Sequence, residues 1–208
     1  AHWQECPLGA LFGLKHGYPF DSSRFTDAGA LILMTPGNFR ERGGFRHKVP
    51  EKFYGGSDFP EEFILKAGDL LVAMTEQAPG LLGSALFVPE CGTYLHNQRL
   101  GLVQNLKTDL INVRYLYHLF NSSRYRAEIG SHVTGATVRH TSPKKIRAVR
   151  VWLPPLVEQH QIASFLSERI ATFDALNTST VQTVALLRER RTALISAAVT
   201  GKIDVRNW

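Results

Sequence analysis

Basic and aromatic side chains alternate in the stretch of residues 39–52. Five of these residues are Lys or Arg and two are Glu, and Gly43-Gly44 marks a tight turn among them. Cations interleaved with aromatic rings suit contacts with the phosphates and base edges of nucleic acid. The residues predicted to make such contacts are Arg40, Arg42, Arg46, His47 and Lys48. The alternative is a hairpin tip whose charges are only solvated.

A second basic run follows a loop rich in Gly, Thr and Ser at residues 130–142. Residues 139–150 contain five Lys and Arg and no acid. One loop rarely fixes the register of a protein on a duplex, so we expect this run to form a second surface that faces nucleic acid. The residues predicted for this surface are Arg139, His140, Lys144 and Lys145.

Gln98 belongs to an Asn-Gln pair that precedes the apolar run at residues 100–103. A glutamine amide matches the donor and acceptor pattern that adenine presents in the major groove. The alternative is a buried amide that satisfies backbone groups. Both roles are open for Gln98.

Residues able to carry out catalysis are not grouped in any familiar pattern. The segment Leu153-Pro154-Pro155-Leu156 lacks the amide and the aromatic residue of a methyltransferase tetrad, and no P-loop occurs. Glu61-Glu62 with Lys66 and Asp69 lacks a convincing nuclease spacing. The sequence therefore predicts a binding module with no catalytic residues, no metal and no cofactor. The alternatives are an enzyme with an unrecognised site and a coiled-coil adaptor whose basic surface only solubilises it.

The positive charge of the chain is unevenly distributed. The net charge is +6 at neutral pH. Residues 1–150 carry 18 Lys and Arg against 13 Asp and Glu, whereas residues 151–208 carry 6 against 5. An acidic partner would therefore meet the N-terminal part of the chain.

Two cysteines and the absence of a long apolar run bear on the cellular compartment. Cys6 and Cys91 are too few for a disulfide framework and lack metal-site spacing. No run of eighteen apolar residues occurs, so no membrane span is predicted. These features favour a cytoplasmic protein with reduced thiols.

Short strands and turns are expected to position the basic loops. Apolar runs at residues 30–36, 70–74, 85–88 and 100–103 predict strands. An aromatic face over residues 112–129 predicts a helix, whose end near Asn121 is left open. The fold class is therefore α/β, of the α+β kind: a mixed globular domain over residues 1–150. A helical region follows over residues 151–208.

A long helix is predicted after Pro154-Pro155, which ends the preceding strand. Glu158 lies in its first turn, where the helix dipole favours an acid, and Gly201 ends it. Alternating steps of four and three give a coiled-coil seam with polar interruptions at Thr180 and Arg191. The residues expected to pair with another helix are Leu166, Ile170, Phe173, Asn177, Val184, Leu187 and Leu194. The alternative is a helix folded back on its own domain.

Two segments of the C-terminal third carry a family resemblance. LPPLVEQHQIASFL at residues 153–166 and RRTALISAAVTGKIDVR at residues 190–206 resemble the DNA-specificity subunit of type I restriction–modification systems. The resemblance implies a target recognition domain over residues 1–150 and a helical spacer and dimerisation region over residues 151–208.

The same resemblance implies a set of partners. These are double-stranded DNA, a methyltransferase subunit that supplies S-adenosylmethionine, a translocating restriction subunit and a second spacer helix. That helix belongs either to a second copy of the chain or to the other half of a longer subunit. The missing initiator Met and the ending at residues 200–204 lean toward the longer subunit.

Overall fold

The described part of the chain contains ten strands and four α-helices. The computed structural model describes residues 2–76, 80–131, 139–204 and 206. The strands are β1 Gln4–Pro7, β2 Gly13–His16, β3 Phe25–Thr26, β4 Leu31–Met34, β5 Phe53–Tyr54, β6 Leu70–Ala73, β7 Ala85–Phe87, β8 Thr93–His96, β9 Leu100–Gln104 and β10 Arg150–Leu153. The helices are α1 Val113–Phe120, α2 Ser123–Ser131, α3 Pro143–Ala148 and α4 Leu156–Val199.

Two four-stranded sheets and a two-stranded ribbon contain all ten strands. The central sheet has the order β2-β9-β6-β7 and is antiparallel throughout. The second sheet has the order β3-β5-β4-β8, in which only β4 and β8 run parallel. In the ribbon, β1 pairs antiparallel with β10, so the N-terminal segment is joined to the strand that precedes α4.

Strand β6 is buried on both faces, which explains its continuous apolar sequence. Leu71 and Ala73 pack in one apolar cluster with residues of the second sheet. Leu70 and Val72 point the other way and pack in a cluster with residues of α1 and α2. The layers are therefore helices, central sheet and second sheet, and the predicted α+β class is confirmed.

The helix predicted over residues 112–129 is interrupted, forming α1 and α2. Asn121 ends α1 by donating its side-chain amide to Tyr117 O (3.0 Å). Ser122 then caps α2, because its Oγ accepts from Tyr125 N–H (3.3 Å). Two short polar residues thus satisfy the backbone at a break that the aromatic pattern alone does not reveal.

Helix α3 lies within the second basic run, where the sequence analysis predicted no helix. Ser142 caps it by accepting from Lys145 N–H (3.3 Å), and Pro143 occupies its first turn. Ile146 is fully buried and anchors the helix in the core. The basic residues around these signals concealed a short helix.

The start of α4 is held by two neighbouring polar residues. Glu158 Oε1 accepts from Trp3 Nε1 (3.1 Å), and its other oxygen pairs with His2 (2.7 Å). The hydrogen bond from His2 is the main reason that the pKa of Glu158 lies below its ordinary value. Gln159 is fully buried and bonds to Asn112, Leu110 and Pro154. The compact unit that contains these contacts runs to Ala163.

Residues 164–208 form the second compact unit, which is mainly the remainder of α4. The long helix is therefore confirmed, and it ends as predicted: Gly201 has a φ of 72°, and Lys202 N–H bonds to Ala197 O (2.8 Å). The exposed apolar side chains at the predicted seam are Ile170, Phe173, Val184, Leu187 and Leu194. Helix pairing stays a prediction. Across the described residues, no helix is long and apolar enough to cross a bilayer.

Candidate nucleic-acid interface

Three of the segments selected from the sequence meet near the carboxyl end of β6. Met74 N–H donates to Arg99 O (2.9 Å), and Thr141 N–H donates to Met74 O (2.9 Å). Next to β6, Gly44 N–H donates to Ala85 O at the start of β7 (3.0 Å). One end of the central sheet is therefore shared by the turn at residues 97–99, the segment at residues 139–141 and residues 39–45, which we call the basic hairpin. We call this region the β6 end.

The basic hairpin is closed by an internal hydrogen bond and is bonded to helix α2. Arg40 N–H bonds to Gly44 O (2.9 Å), and Gly43 and Gly44 have φ values of 91° and 89°, which favour glycine. Arg126 of α2 donates to Glu41 O. Arg40 and Arg42 are exposed and have no side-chain partner within residues 2–76, 80–131, 139–204 and 206, which the structure describes. Their charges are therefore available to a ligand.

The other three predicted residues of this stretch have internal contacts. Arg46 Nε donates to Gly37 O (2.8 Å). His47 Nδ1 lies 2.9 Å from Glu51 Oε1. Lys48 is half-buried, and burial, followed by the charges of Lys52 and Arg46, lowers the pKa of its amine. These residues shape the loop, and their use as DNA contacts stays a prediction.

The second predicted surface is divided in the same way. Arg139 donates to Gly130 O (2.7 Å) and lies 3.4 Å from Glu76, while His140 Nδ1 lies 3.0 Å from Thr75 Oγ1. Lys144 and Lys145 are exposed in the first turns of α3. Lys145 also lines a cavity of about 750 Å³ beside β10. The described residues of the β6 end do not line this cavity. The first two residues thus belong to the β6 end by direct contacts, and the use of all four residues as DNA contacts stays a prediction.

The two residues of the Asn-Gln pair have different environments, since Asn97 is buried and Gln98 is exposed. Asn97 is buried, and its Oδ1 accepts from Arg99 N–H (2.9 Å). The role of satisfying backbone groups therefore falls to Asn97. Gln98 is exposed, as is Arg99, a residue that the sequence analysis did not select. The signal that points to Arg99 is its place in an Asn-Gln-Arg turn just before an apolar strand.

Helix α2 connects the two basic segments. Arg126 bonds to the hairpin and Gly130 accepts from Arg139, so the two contacts lie one helical turn apart. Glu41 and Glu76 lie among the basic residues. Among the described residues, no group of His, Cys, Asp and Glu is arranged to hold a metal ion.

Comparison with known proteins identifies the family. The model of the type I restriction modification DNA specificity domain matches residues 1–184. The chain belongs to this family. One relative, the specificity subunit of the type I restriction enzyme EcoBI from Escherichia coli, is 26% identical over 97% of this chain and 39% of its own length. The EcoKI specificity subunit from E. coli K12 is 32% identical over 65% of this chain and 29% of its own length.

Solved structures of the family support the fold. A chain from a type I R-M system assembly aligns with a TM-score of 0.68 at 18% identity, covering 94% of this chain and 45% of that chain. The HsdS subunit from Thermoanaerobacter tengcongensis aligns with a TM-score of 0.59 at 20% identity, covering 97% and 46%. This specificity-domain chain therefore spans less than half the length of these relatives.

Proposed function

We propose that this chain recognises a DNA sequence for a type I restriction–modification complex and reads one half of a bipartite target. The supporting observation is the β6 end, where the exposed turn at Gln98 shares one end of the central sheet with Arg40 and Arg42, two cations without a side-chain partner among the described residues. The relatives of the chain are named type I restriction enzyme specificity subunits. Cations that can contact phosphates and exposed side chains that can contact bases are the two kinds of group that protein–DNA recognition combines.

Arg40 and Arg42 supply affinity by neutralising phosphates, which releases counterions from the duplex. Arg139 contributes less, because Gly130 and Glu76 already hold its guanidinium. The hairpin presents its charges on a backbone held by hydrogen bonds to Ala85 and Arg126, so little backbone ordering is needed on binding.

The chemistry of the complex resides in its partners under this proposal. The chain itself is non-catalytic, since its sequence lacks a methyltransferase tetrad and a P-loop. Methyltransferase subunits bind S-adenosylmethionine and modify the target, and a restriction and translocase subunit acts with them. The stretch of α4 from residue 164 onward pairs with a second spacer helix, from another copy or from the other half of a longer subunit.

The salt dependence of duplex binding tests the phosphate contacts. Fluorescence anisotropy of the full chain at several salt concentrations gives the slope of log affinity against log salt. Replacing Arg40→Ala together with Arg42→Ala should weaken binding and reduce that slope by about 1.8, because each lost phosphate contact removes roughly 0.9.

A matched pair of lysines serves as the control. Lys66 precedes β6 and Lys107 follows β9, so both lie at the opposite end of the central sheet. Lys66→Ala with Lys107→Ala removes the same charge and should leave the slope close to that of the wild type. Equal slopes for the two double variants would exclude the hairpin from the interface.

A further inference from the structure

The turn that carries Gln98 and Arg99 is held rigidly. Its backbone is tied on both sides: Gln98 N–H donates to Tyr18 O (3.0 Å), and Met74 N–H donates to Arg99 O (2.9 Å). Inside the turn, Leu100 N–H donates to Asn97 O (3.0 Å), and the Asn97 amide oxygen accepts from Arg99 N–H. A turn held by these hydrogen bonds presents its side chains in fixed directions.

Gly17 lets a neighbouring chain segment approach this turn closely. A Cβ placed on Gly17 would lie 2.1 Å from Asn97 O, a distance that no real side chain tolerates. The adjoining backbone is fixed as well, because Tyr18 N–H donates to His96 O (2.9 Å). Gly17 is therefore a positioning residue for the turn and has no side chain of its own to offer a ligand.

The two exposed side chains of the turn are of the types that read bases. Glutamine matches the N6 and N7 groups of adenine, and arginine matches O6 and N7 of guanine. Both side chains are exposed and lack a partner in the part of the chain that the structure describes. The turn therefore offers two free base-reading groups on a fixed backbone.

The turn also lies close to a second segment that can contact the same DNA. Met74 bonds to Arg99 through its N–H and to Thr141 through its carbonyl group. Because a residue of an antiparallel strand directs both groups to the same side, the two partners lie next to each other along β6. Strands advance about 3.3 Å per residue, so the two partners lie closer together than the width of a major groove, which is about 12 Å. The turn can therefore enter the groove while its neighbour follows the groove edge.

We propose that Gln98 and Arg99 determine part of the recognised sequence, with Gln98 reading an A·T pair and Arg99 reading a neighbouring G·C pair. This inference rests on the proposed function, since it names the residues that give that function its specificity. It adds Arg99 to the interface and assigns Gly17 and Asn97 the role of positioning the reading pair.

Selection from a library of randomised DNA duplexes tests this assignment. The full chain and its variants Gln98→Ala and Arg99→Ala are each used to enrich bound duplexes, which are then sequenced. The wild type should yield a motif, and each variant should lose base preference at one position, with neighbouring positions lost by the two variants. Discrimination at the affected position should fall roughly 5- to 150-fold, while affinity for unselected DNA changes little.

The outcomes separate this inference from the proposed function. Lys66→Ala, at the far end of the sheet, should reproduce the wild-type motif. A motif that survives both turn substitutions would overturn the assignment of base reading to the turn but not the proposed function. A uniform loss of affinity with the motif intact would have the same meaning. A wild-type chain that retains duplexes without enriching any sequence would overturn the turn and the proposed function together.

Discussion

Arg46 and Arg40 belong to the same basic stretch, but their environments differ. The guanidinium of Arg46 bonds to Gly37 O, whereas Arg40 has no side-chain partner among the residues described. A cation that already has a partner must exchange it for a phosphate, so its net gain on binding DNA is small. The same reasoning separates Arg139 from Arg42. Residue type alone therefore does not show which cations are free to bind a ligand.

Buried His96 makes the stability of the chain depend on pH. It is fully buried, its Nε2 lies 3.0 Å from Leu100 O, and burial lowers its pKa to about 4. The unfolded chain binds a proton near pH 6.5, so it binds more protons than the folded chain between about pH 6.5 and 4. The stabilising effect is complete above that window and is lost as pH falls through it.

We expect the free energy of unfolding to drop by about 2 kcal/mol between about pH 7 and pH 5 through His96. Urea unfolding at both pH values measures this drop, and His96→Gln should remove most of it. The exposed His160 provides the control, since His160→Gln should keep the wild-type dependence. Identical pH dependence in the wild type and the His96 variant would contradict the prediction.

The sequence indicates which residues are basic but not which of them are already bonded. Arg139 is held by Gly130 and Glu76, and His140 by Thr75, which is 65 positions away in the sequence. These contacts form because residues 139–141 pair with the residues that follow β6. No local sequence pattern shows that these two distant segments pair. Arg99 was missed for a related reason: the turn that exposes it is held by hydrogen bonds to Tyr18 and Met74, which are distant in the sequence.

At the scale of elements, the first turn of α4 explains part of the family motif. Glu158 binds the N-terminal segment through Trp3, and Gln159 bonds to the residue before α1 and to two carbonyl groups. The pair thus ties the segment before β1, the start of α1 and the end of β10 to the start of the long helix. Local signals sufficed to predict this helix, because its turns repeat one pattern, whereas the capping of α3 was hidden among basic residues.

Gln159 should therefore be essential to the folded domain. Gln159→Leu keeps a similar volume but removes three hydrogen bonds from a site with no exposed surface. We expect it to lower the free energy of unfolding by about 2–5 kcal/mol, since unsatisfied buried groups cost about 1–3 kcal/mol each. Chemical unfolding followed by tryptophan fluorescence measures the effect.

Gln161, two residues after Gln159 in the same helix, is the control position for this substitution. It is exposed, so Gln161→Leu should change stability by less than about 0.5 kcal/mol. A Gln159 variant that unfolds at the same urea concentration as the Gln161 variant would show that the buried amide does not anchor the helix.

At the scale of the whole molecule, the second unit presents an apolar stripe along a single helix. Phe173 and Leu187 are 67% and 58% exposed, and the polar Asn177 and Thr180 interrupt the stripe. Thr180 Oγ1 bonds to Leu176 O, so its hydroxyl needs no partner from another chain. Large exposed apolar side chains in register favour pairing with a second helix. The chain spans less than half the length of these relatives.

Charge placed in the stripe should separate any pair that forms through it. Burying a Phe or Val side chain contributes about 1.5–3 kcal/mol, so Phe173→Glu with Val184→Glu removes several kcal/mol and adds the cost of burying two charges. Sedimentation velocity of the full chain should shift from dimer to monomer, while the circular dichroism of the domain is retained. Ala175→Glu with Gln182→Glu adds the same charge on the opposite face of the helix and should leave the dimer intact. A double seam variant that sediments at the mass of the wild-type dimer would assign pairing to another surface.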